Sequence, residues 1–213
     1  MTATTLDGRW RTRNRWAAVG LPVALLAALG ASSDRVTDYF WTADLRQPQH
    51  ADAGEWLDFS DSYTDDDGEH PLDVRLRLGS VRPTTTGWGG EGGDVDLDVP
   101  DGSVALAVTL QVEADPDLPL SGCMLALRGD DGTRYGYLPS FGDAYMPGSP
   151  CVPPDSPGPF PSVGEFDDIL NDDRVARPAS WTVEPVVVVP RGTEITDVLI
   201  WWERPAYASL AVD

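Results

Sequence analysis

Hydrophobic and polar positions alternate along most of the chain, and this alternation predicts a series of short strands. The clearest case is 104–112, where every second residue is Val or Leu, and 72–78 shows the same pattern with charged residues between. A period of two is typical of strands with one buried face. Further strands are predicted at 55–60, 123–127, 133–138, 181–189, 195–203 and 207–212.

Turn signals separate these strands. Asp130, Asp131 and Gly132 lie between two predicted strands and indicate a hairpin. The polar segment 61–71 is also interpreted as a turn. Pro185 predicts an edge or a bulge within 181–189, because proline has no amide hydrogen to donate to a ladder. Seven or eight short strands without an internal helix predict an all-β fold, an immunoglobulin-like antiparallel β-sandwich.

A long segment rich in Gly and Pro, 142–180, interrupts the strand pattern. It contains the run VPPDSPGPFPS, whose prolines favour extended or turn conformations. Loops of this length are uncommon in compact domains and often have a specific role. This segment is therefore the first candidate for a specific role.

The alternation is absent near the start, where an uncharged apolar run occupies 16–33. Arg9, Arg11, Arg13 and Arg15 precede it, and acidic residues dominate after it. This order predicts that residues 1–15 form a cytoplasmic tail and that the rest is exported. Residues 16–33 are expected to be a transmembrane helix or a signal peptide. The expected location is the cell membrane, single-pass with the C-terminal domain outside, or secreted if the segment is cleaved.

Charge narrows the range of partners. The chain has 35 acidic and 15 basic residues and a formal net charge of −20, and beyond residue 33 the 34 acidic residues exceed 11 arginines. Such a negative domain disfavours nucleic acid as a partner. The remaining length suits one domain. We expect a juxtamembrane linker at 34–54 and the sandwich at 55–213.

The two cysteines are expected to pair. An exported protein meets an oxidising compartment, and Cys123 and Cys151 enclose a segment too rich in Gly and Pro to organise itself. A metal site would need further ligands nearby, and a nucleophilic cysteine would need a histidine. His50 and His70 lie far upstream in the sequence.

The C-terminal half resembles bacterial exported immunoglobulin-like domains of unknown function. The resemblance rests on VALAVTLQVEA, CMLALRGDDGTRY, VVVVP and ITDVLIWW, and it covers about 100 residues. In that family a central strand is followed by a hairpin with Leu, Asp-Gly and Tyr, and by a strand that ends in Val-Pro. Here Glu113-Ala114-Asp115 follow the central strand where the family often has Asn. The resemblance implies an immunoglobulin-like fold and an envelope location. It implies no activity.

No motif indicates catalysis, and no cofactor is expected. The chain has two histidines and no G-x-S-x-G nucleophile motif. Two acidic runs, 65–69 and 94–102, superficially suggest calcium loops, but neither has the EF-hand register. The alternative for 94–98 is a strand with a solvated acidic face, and no metal site is predicted.

Aromatic residues are the candidate binding groups. Those expected to be exposed near the Gly-rich loop and the disulfide are Trp88, Tyr135, Tyr137, Phe141 and Tyr145. The alternative is that they pack in the core, as large aromatic residues of sandwiches commonly do. The expected function is a non-catalytic, membrane-anchored interaction or structural domain outside the cytoplasm, with the membrane and an envelope protein or glycan as partners. The alternatives are a carbohydrate-binding module and a calcium-dependent adhesion domain.

Overall fold

The computed structural model describes residues 15–31, 43–89, 93–141, 144–145, 147–166 and 174–213. Two compact units divide the chain, Met1–Asp44 and Leu45–Asp213. Helix α1 (Arg15–Ala31) belongs to the first unit, and the strands belong to the second.

Helix α1 corresponds to the predicted apolar segment. It has 17 residues and includes Pro22. Among the described residues, no helix combines the length and the apolar character needed to cross a membrane. The predicted transmembrane helix at 16–33 is therefore not supported, and all of the predicted tail at 1–15 except Arg15 lies outside the described residues.

The second unit is a β-sandwich with a 3-10 turn at Gly164–Phe166. Its strands are β1 (Gln47–Ala51), β2 (Trp56–Asp65), β3 (Gly68–Thr84), β4 (Thr86–Trp88), β5 (Asp94–Asp96), β6 (Ser103–Ala114), β7 (Met124–Gly129), β8 (Arg134–Gly136), β9 (Ser140–Phe141), β10 (Ala144–Tyr145), β11 (Ser180–Val183), β12 (Val186–Pro190), β13 (Ile195–Trp201) and β14 (Ala206–Ala211).

One sheet is formed by β2, β3 and β6 in that order, with both β11 and β12 on the free side of β6. The edge is interrupted at Glu184 and Pro185, because Pro185 has no amide hydrogen. Its carbonyl still accepts a hydrogen bond from the Val108 amide at 2.9 Å. The bulge or edge predicted at Pro185 is confirmed.

The other sheet has the order β1-β14-β13-β7-β8. Strand β1 runs parallel to β14, and the other pairs are antiparallel. The predicted hairpin between β7 and β8 is confirmed. Gly132 has a φ of 82°, which favours glycine, and the Thr133 amide donates to Asp131 Oδ1 at 2.8 Å.

The inner faces of the two sheets form one core. Leu76 and Leu110 from the first sheet and Leu127 and Ile200 from the second are almost completely buried in it. Each such side chain contributes about 1.5–3 kcal/mol by leaving water. A second, smaller cluster contains Leu45, Ala126, Leu199, Trp201 and Tyr207.

Two boundaries differ from the sequence predictions. The predicted linker, 34–54, contains β1, so the sandwich unit begins at Leu45 instead of residue 55. The predicted turn at 61–71 is mostly strand, because β2 and β3 continue as a long hairpin that turns at Asp66 and Asp67. Gly68, with a φ of 126°, follows that turn.

Candidate functional site

The predicted disulfide is confirmed. Cys123 and Cys151 are bonded, their Cα atoms are 6.0 Å apart, and both are buried. Cys123 directly precedes β7, so the bridge attaches the Pro-rich segment to the sheet that contains β7. The described residues contain no free cysteine.

The predicted exposed aromatic residues have different environments. Tyr137 is only 8% exposed and its hydroxyl donates to the Pro147 carbonyl at 2.7 Å, so its predicted exposure is wrong. Burial raises the pKa of the Tyr137 phenol. Tyr135 is half-buried and packs against the core. The side chains of Phe141 and Tyr145 lie outside the described part of the structure.

Trp88 is half-buried at the end of a short hairpin formed by β4 and β5. The Thr84 hydroxyl donates to the Thr86 carbonyl at 2.9 Å, which holds the connection between β3 and β4. The next residue, Gly89, donates its amide to the Gly93 carbonyl at 2.8 Å. A Cβ on Gly89 would clash with the Val95 side chain and lie 2.8 Å from that carbonyl. Glycine therefore allows the close approach that places Trp88.

A cleft of about 340 Å³ lies beside Trp88. Its walls come from β3, β4, β11, β12 and the segment around Cys151. Its polar lining residues include Arg82, Thr84, Thr86, Asp94, Ser149, Thr182 and Glu184. Arg82 Nη2 donates to both carboxylate oxygens of Glu184, at 3.0 and 3.2 Å. The Thr109 hydroxyl donates to the same carboxylate at 3.0 Å.

A second cleft, of about 410 Å³, adjoins the first. The two share five lining residues, which are Trp88, Pro147, Ser149, Val152 and Pro154. Arg174 and Phe160 also line the second cleft, and the Arg174 guanidinium lies 3.1 Å from the centroid of the Phe160 ring. Trp88 is therefore at the junction of an extended, two-part groove.

Ser149 is an unexpected feature of both clefts. It is 7% exposed, and its hydroxyl has no hydrogen-bond partner among the described residues. Buried hydroxyls normally have a partner, because leaving one without costs about 1–3 kcal/mol. The hydroxyl oxygen is closed to solvent in this structure, so a bound group would reach it only after rotation of the Ser149 side chain toward the clefts.

Arg177 is a buried residue that sequence reasoning missed. It is 2% exposed, and Nη2 donates to the carbonyls of Asp115 and Leu118 at 2.8 and 2.7 Å. Nη1 donates to the Pro157 carbonyl at 3.2 Å. Burial lowers the pKa of Arg177, and the nearby Asp115 and Asp117 partly oppose this effect. The sequence offers one signal for it. Between Arg134 and Arg174 there is no basic residue, so the arginines at 174 and 177 stand out at the end of the Pro-rich segment.

The neighbourhood of Arg177 is tightly packed. Gly158 has a φ of 74°, and a Cβ there would lie 3.0 Å from Arg177 Nη1. The guanidinium carbon also lies 4.8 Å from the centroid of the Trp181 ring. Arg177 thus joins the Pro-rich segment to the loop after β6.

The tip of the β2–β3 hairpin contacts the Pro-rich segment. Asp65 accepts hydrogen bonds from the Ser162 and Asp67 amides, each at 3.0 Å, and lies 3.0 Å from His70 Nε2. Burial raises the pKa of Asp65, but these hydrogen bonds outweigh it, and the pKa is lowered overall. The acidic run at 65–69 therefore includes a carboxylate with protein partners.

No group of three or more His, Cys, Asp or Glu side chains that could hold a metal ion occurs in the described ranges. Within the other acidic run, Asp94 and Asp96 pair across the hairpin with Trp88 and Thr86.

Comparisons with known proteins give little further information. No protein-family model and no curated protein matches the sequence. An uncharacterized β-sandwich protein from Clostridium difficile 630 is 8% identical, with a TM-score of 0.38, and the alignment covers 80% of this chain and 97% of that one. A "putative lipoprotein" from Staphylococcus aureus is 9% identical, with a TM-score of 0.31, and the alignment covers 71% and 92% of the two chains. TM-scores this low support no conclusion about function, so the β-sandwich assignment rests on the strand pairing and the core.

Proposed function

We propose that this protein is a non-catalytic binding domain of the bacterial cell envelope, and that the groove at Trp88 is its binding site. One observation carries the proposal: Trp88 and the buried, unpartnered Ser149 line two adjoining clefts next to a disulfide. Binding sites are typically concave and combine apolar surface with a few placed polar groups; here the second cleft is mostly apolar and the first is mostly polar. The volumes of about 340 and 410 Å³ fall within the range of small-ligand sites.

Export is supported by two features. The arginines before the apolar segment fit a secretion signal, whose apolar core needs only about 7–15 residues. The Cys123–Cys151 bridge fits an oxidising compartment. These two features favour a location outside the cytoplasm.

The strand order supports the immunoglobulin-like variant of the sandwich. In that fold, strands A, B and E are neighbours in one sheet, and C, F and G are neighbours in the other. Here β3, β6 and β12 have the first arrangement, and β7, β13 and β14 have the second. Loops at the ends of such sandwiches often form binding sites.

Two measurements test the proposal with the full chain. A C-terminal alkaline phosphatase fusion should be active in a bacterial host, and an inactive fusion would contradict export. For binding, the immobilised protein is incubated with solubilised envelope protein and polysaccharide fractions. A component should be retained by the native protein and lost with Trp88→Ala.

Trp56→Ala is the matched control. Trp56 is half-buried in β2, where it lies 4.9 Å from the Arg75 guanidinium, and it lines neither cleft. Retention by the Trp56→Ala protein but not by the Trp88→Ala protein supports the site. Equal retention by both variants would show that the groove is not the binding site.

A further inference from the structure

We infer that the groove binds an uncharged oligosaccharide of at least two sugar rings, with Trp88 between neighbouring rings. This inference rests on the proposed binding function and specifies its ligand class. It follows from the apolar surface, the polar groups, the charge and the length of the groove.

The apolar surface suits the faces of sugar rings. Trp88 offers an indole face, and Pro147, Pro154 and Val152 surround it in both clefts. An indole ring can stack on the apolar face of a sugar ring, and its N–H group stays available for a hydrogen bond. Prolines have a fixed φ, and the disulfide holds the segment that contains them, so little conformational entropy is lost on binding.

The polar groups suit hydroxyls. Ser149 can donate and accept, and its partner is missing among the described residues. The hydroxyls of Thr86 and Thr182 and the carboxylate of Asp94 line the same cleft. A sugar hydroxyl both donates and accepts, so it can pair with the Ser149 hydroxyl once that side chain has rotated toward the cleft. An aliphatic ligand would leave the Ser149 hydroxyl without a partner.

The charge disfavours anionic ligands. Arg82, the cation of the first cleft, already donates to both oxygens of Glu184. Asp94 adds a second carboxylate and Arg174 of the second cleft adds a second cation, so the charges that line the groove balance, while the chain as a whole has a net charge of −20. Uronic acids and phosphorylated glycans would meet a negative potential. A proline-rich peptide is also disfavoured, because its recognition uses grooves lined with several aromatic residues.

The length favours more than one ring. Each cleft is large enough for a small ligand by itself, and the five shared residues place the two clefts side by side. A single ring would leave one cleft empty. A chain that crosses Trp88 would contact both clefts and the shared Ser149.

Isothermal titration of the full chain with neutral gluco-, manno-, galacto- and N-acetylglucosamine oligosaccharides of one to four rings tests the inference. For the preferred series, affinity should rise roughly tenfold from one to three rings and then level off. Trp88→Ala should lower the affinity roughly tenfold. Ser149→Ala should cause a smaller loss, and Trp56→Ala should cause none. Trp88→Phe retains an aromatic face and should keep most of the affinity. It is the substitute test if the alanine variant does not fold.

The outcomes separate the ligand class from the binding function. Equal affinity for one and three rings, or a preference for uronic acid oligomers, would overturn the inference. If no neutral saccharide binds but Trp88-dependent retention of an envelope component persists, the saccharide assignment fails and the binding function stands. If neither kind of binding depends on Trp88, both fail.

Discussion

The indole Nε1 of Trp181 donates a buried hydrogen bond of 2.8 Å to the carbonyl oxygen of Cys151. Trp181 belongs to β11, at the edge of one sheet, whereas the disulfide partner Cys123 precedes β7 in the other sheet. The segment around Cys151 is therefore fixed to both sheets. Since Pro147, Ser149 and Val152 belong to this segment, the same two attachments position one wall of the groove.

Removal of the disulfide should destabilise the sandwich strongly. Cys151→Ser opens a covalent link between residues 28 apart in sequence. In the chain-entropy model, such a link contributes about 3–4 kcal/mol. For a domain of this size, that corresponds to a decrease in Tm of roughly 10 °C. Thermal unfolding by circular dichroism measures the change.

The double variant Cys123→Ser/Cys151→Ser is the control for effects of an unpaired thiol. It should unfold at the same temperature as the single variant. If the native, air-exposed protein contained two titratable thiols, the bridge and this prediction would both be wrong.

A methyl group at Gly89 should disturb the groove more than the fold. Gly89→Ala places a Cβ against the Val95 side chain and 2.8 Å from the Gly93 carbonyl. Overpacking of this kind costs about 1–3 kcal/mol. Because β4 and β5 form a separate two-stranded hairpin, we expect faster amide exchange at Gly89 and Leu97 and weaker ligand binding, with a smaller effect on global unfolding.

Gly136→Ala is the matched control for that variant. Gly136 lies in edge strand β8, and a Cβ there would meet no atom within 4 Å. Its exchange and binding should match those of the native protein within experimental error. Similar losses in both variants would show that the Gly89 contacts do not position the hairpin.

The alternation of apolar and polar residues predicts those strands that pack one face against the core. The alternation over 104–112 corresponds to β6, in which Val108, Leu110 and Val112 are almost completely buried. Pro185 indicates the interruption between β11 and β12, because a missing amide hydrogen is a local property of the residue. Such features require no knowledge of distant contacts.

Two kinds of feature could not be predicted from the sequence. These are strands without a buried face and contacts between segments that are distant in sequence. Strand β1, QPQHA, is polar and lies at an edge, and only Ala51 of this strand is buried. Both faces of the hairpin beyond Asp61 are polar or partly exposed, so the pattern there indicates a turn. Arg177 is buried because backbone carbonyls more than 50 residues away in sequence, those of Asp115 and Leu118, accept its hydrogen bonds.

Arg177→Met should destabilise the loop after β6 together with the Pro-rich segment. The substitution keeps an unbranched side chain but removes the Arg177 donors from the carbonyls of Leu118, Pro157 and Asp115, of which Asp115 keeps the hydrogen bond from the Leu118 amide. Unsatisfied buried polar groups cost about 1–3 kcal/mol each, partly offset because a buried charge is removed. We expect a net loss of about 3 kcal/mol in chemical denaturation.

Two further variants distinguish this role from a general effect of charge. Arg177→Lys should recover only part of the loss, because one ammonium group cannot reproduce the planar fork of a guanidinium. Arg82→Met removes an arginine of an exposed ion pair and should change stability by less than about 1 kcal/mol. If Arg177→Met were as stable as Arg82→Met, the buried hydrogen bonds would not hold these segments together.

Acid should weaken the domain in part through Asp197. Arg128 Nη2 lies 2.7 Å from Asp197 Oδ2, and the Ser209 hydroxyl donates to Oδ1 at 2.9 Å. Burial raises the pKa of Asp197, but hydrogen bonds from Thr196, Arg128 and Ser209 outweigh it and lower the pKa overall. The folded state therefore holds this carboxylate ionised at a pH where the unfolded chain already binds a proton.

The sign of the pH dependence follows from that difference. The contribution of Asp197 is fully present above the unfolded pKa of about 3.9 and is lost as the pH falls through the lower folded value. Asp197→Asn should cost about 2 kcal/mol at neutral pH and much less at pH 2–3, so its stability profile should be flatter below about pH 4. Denaturant unfolding across pH 2–7 measures both profiles.

Asp58→Asn is the control, at an exposed carboxylate paired with Arg75. It should leave the stability profile nearly unchanged, and an equal flattening there would contradict a specific role for Asp197.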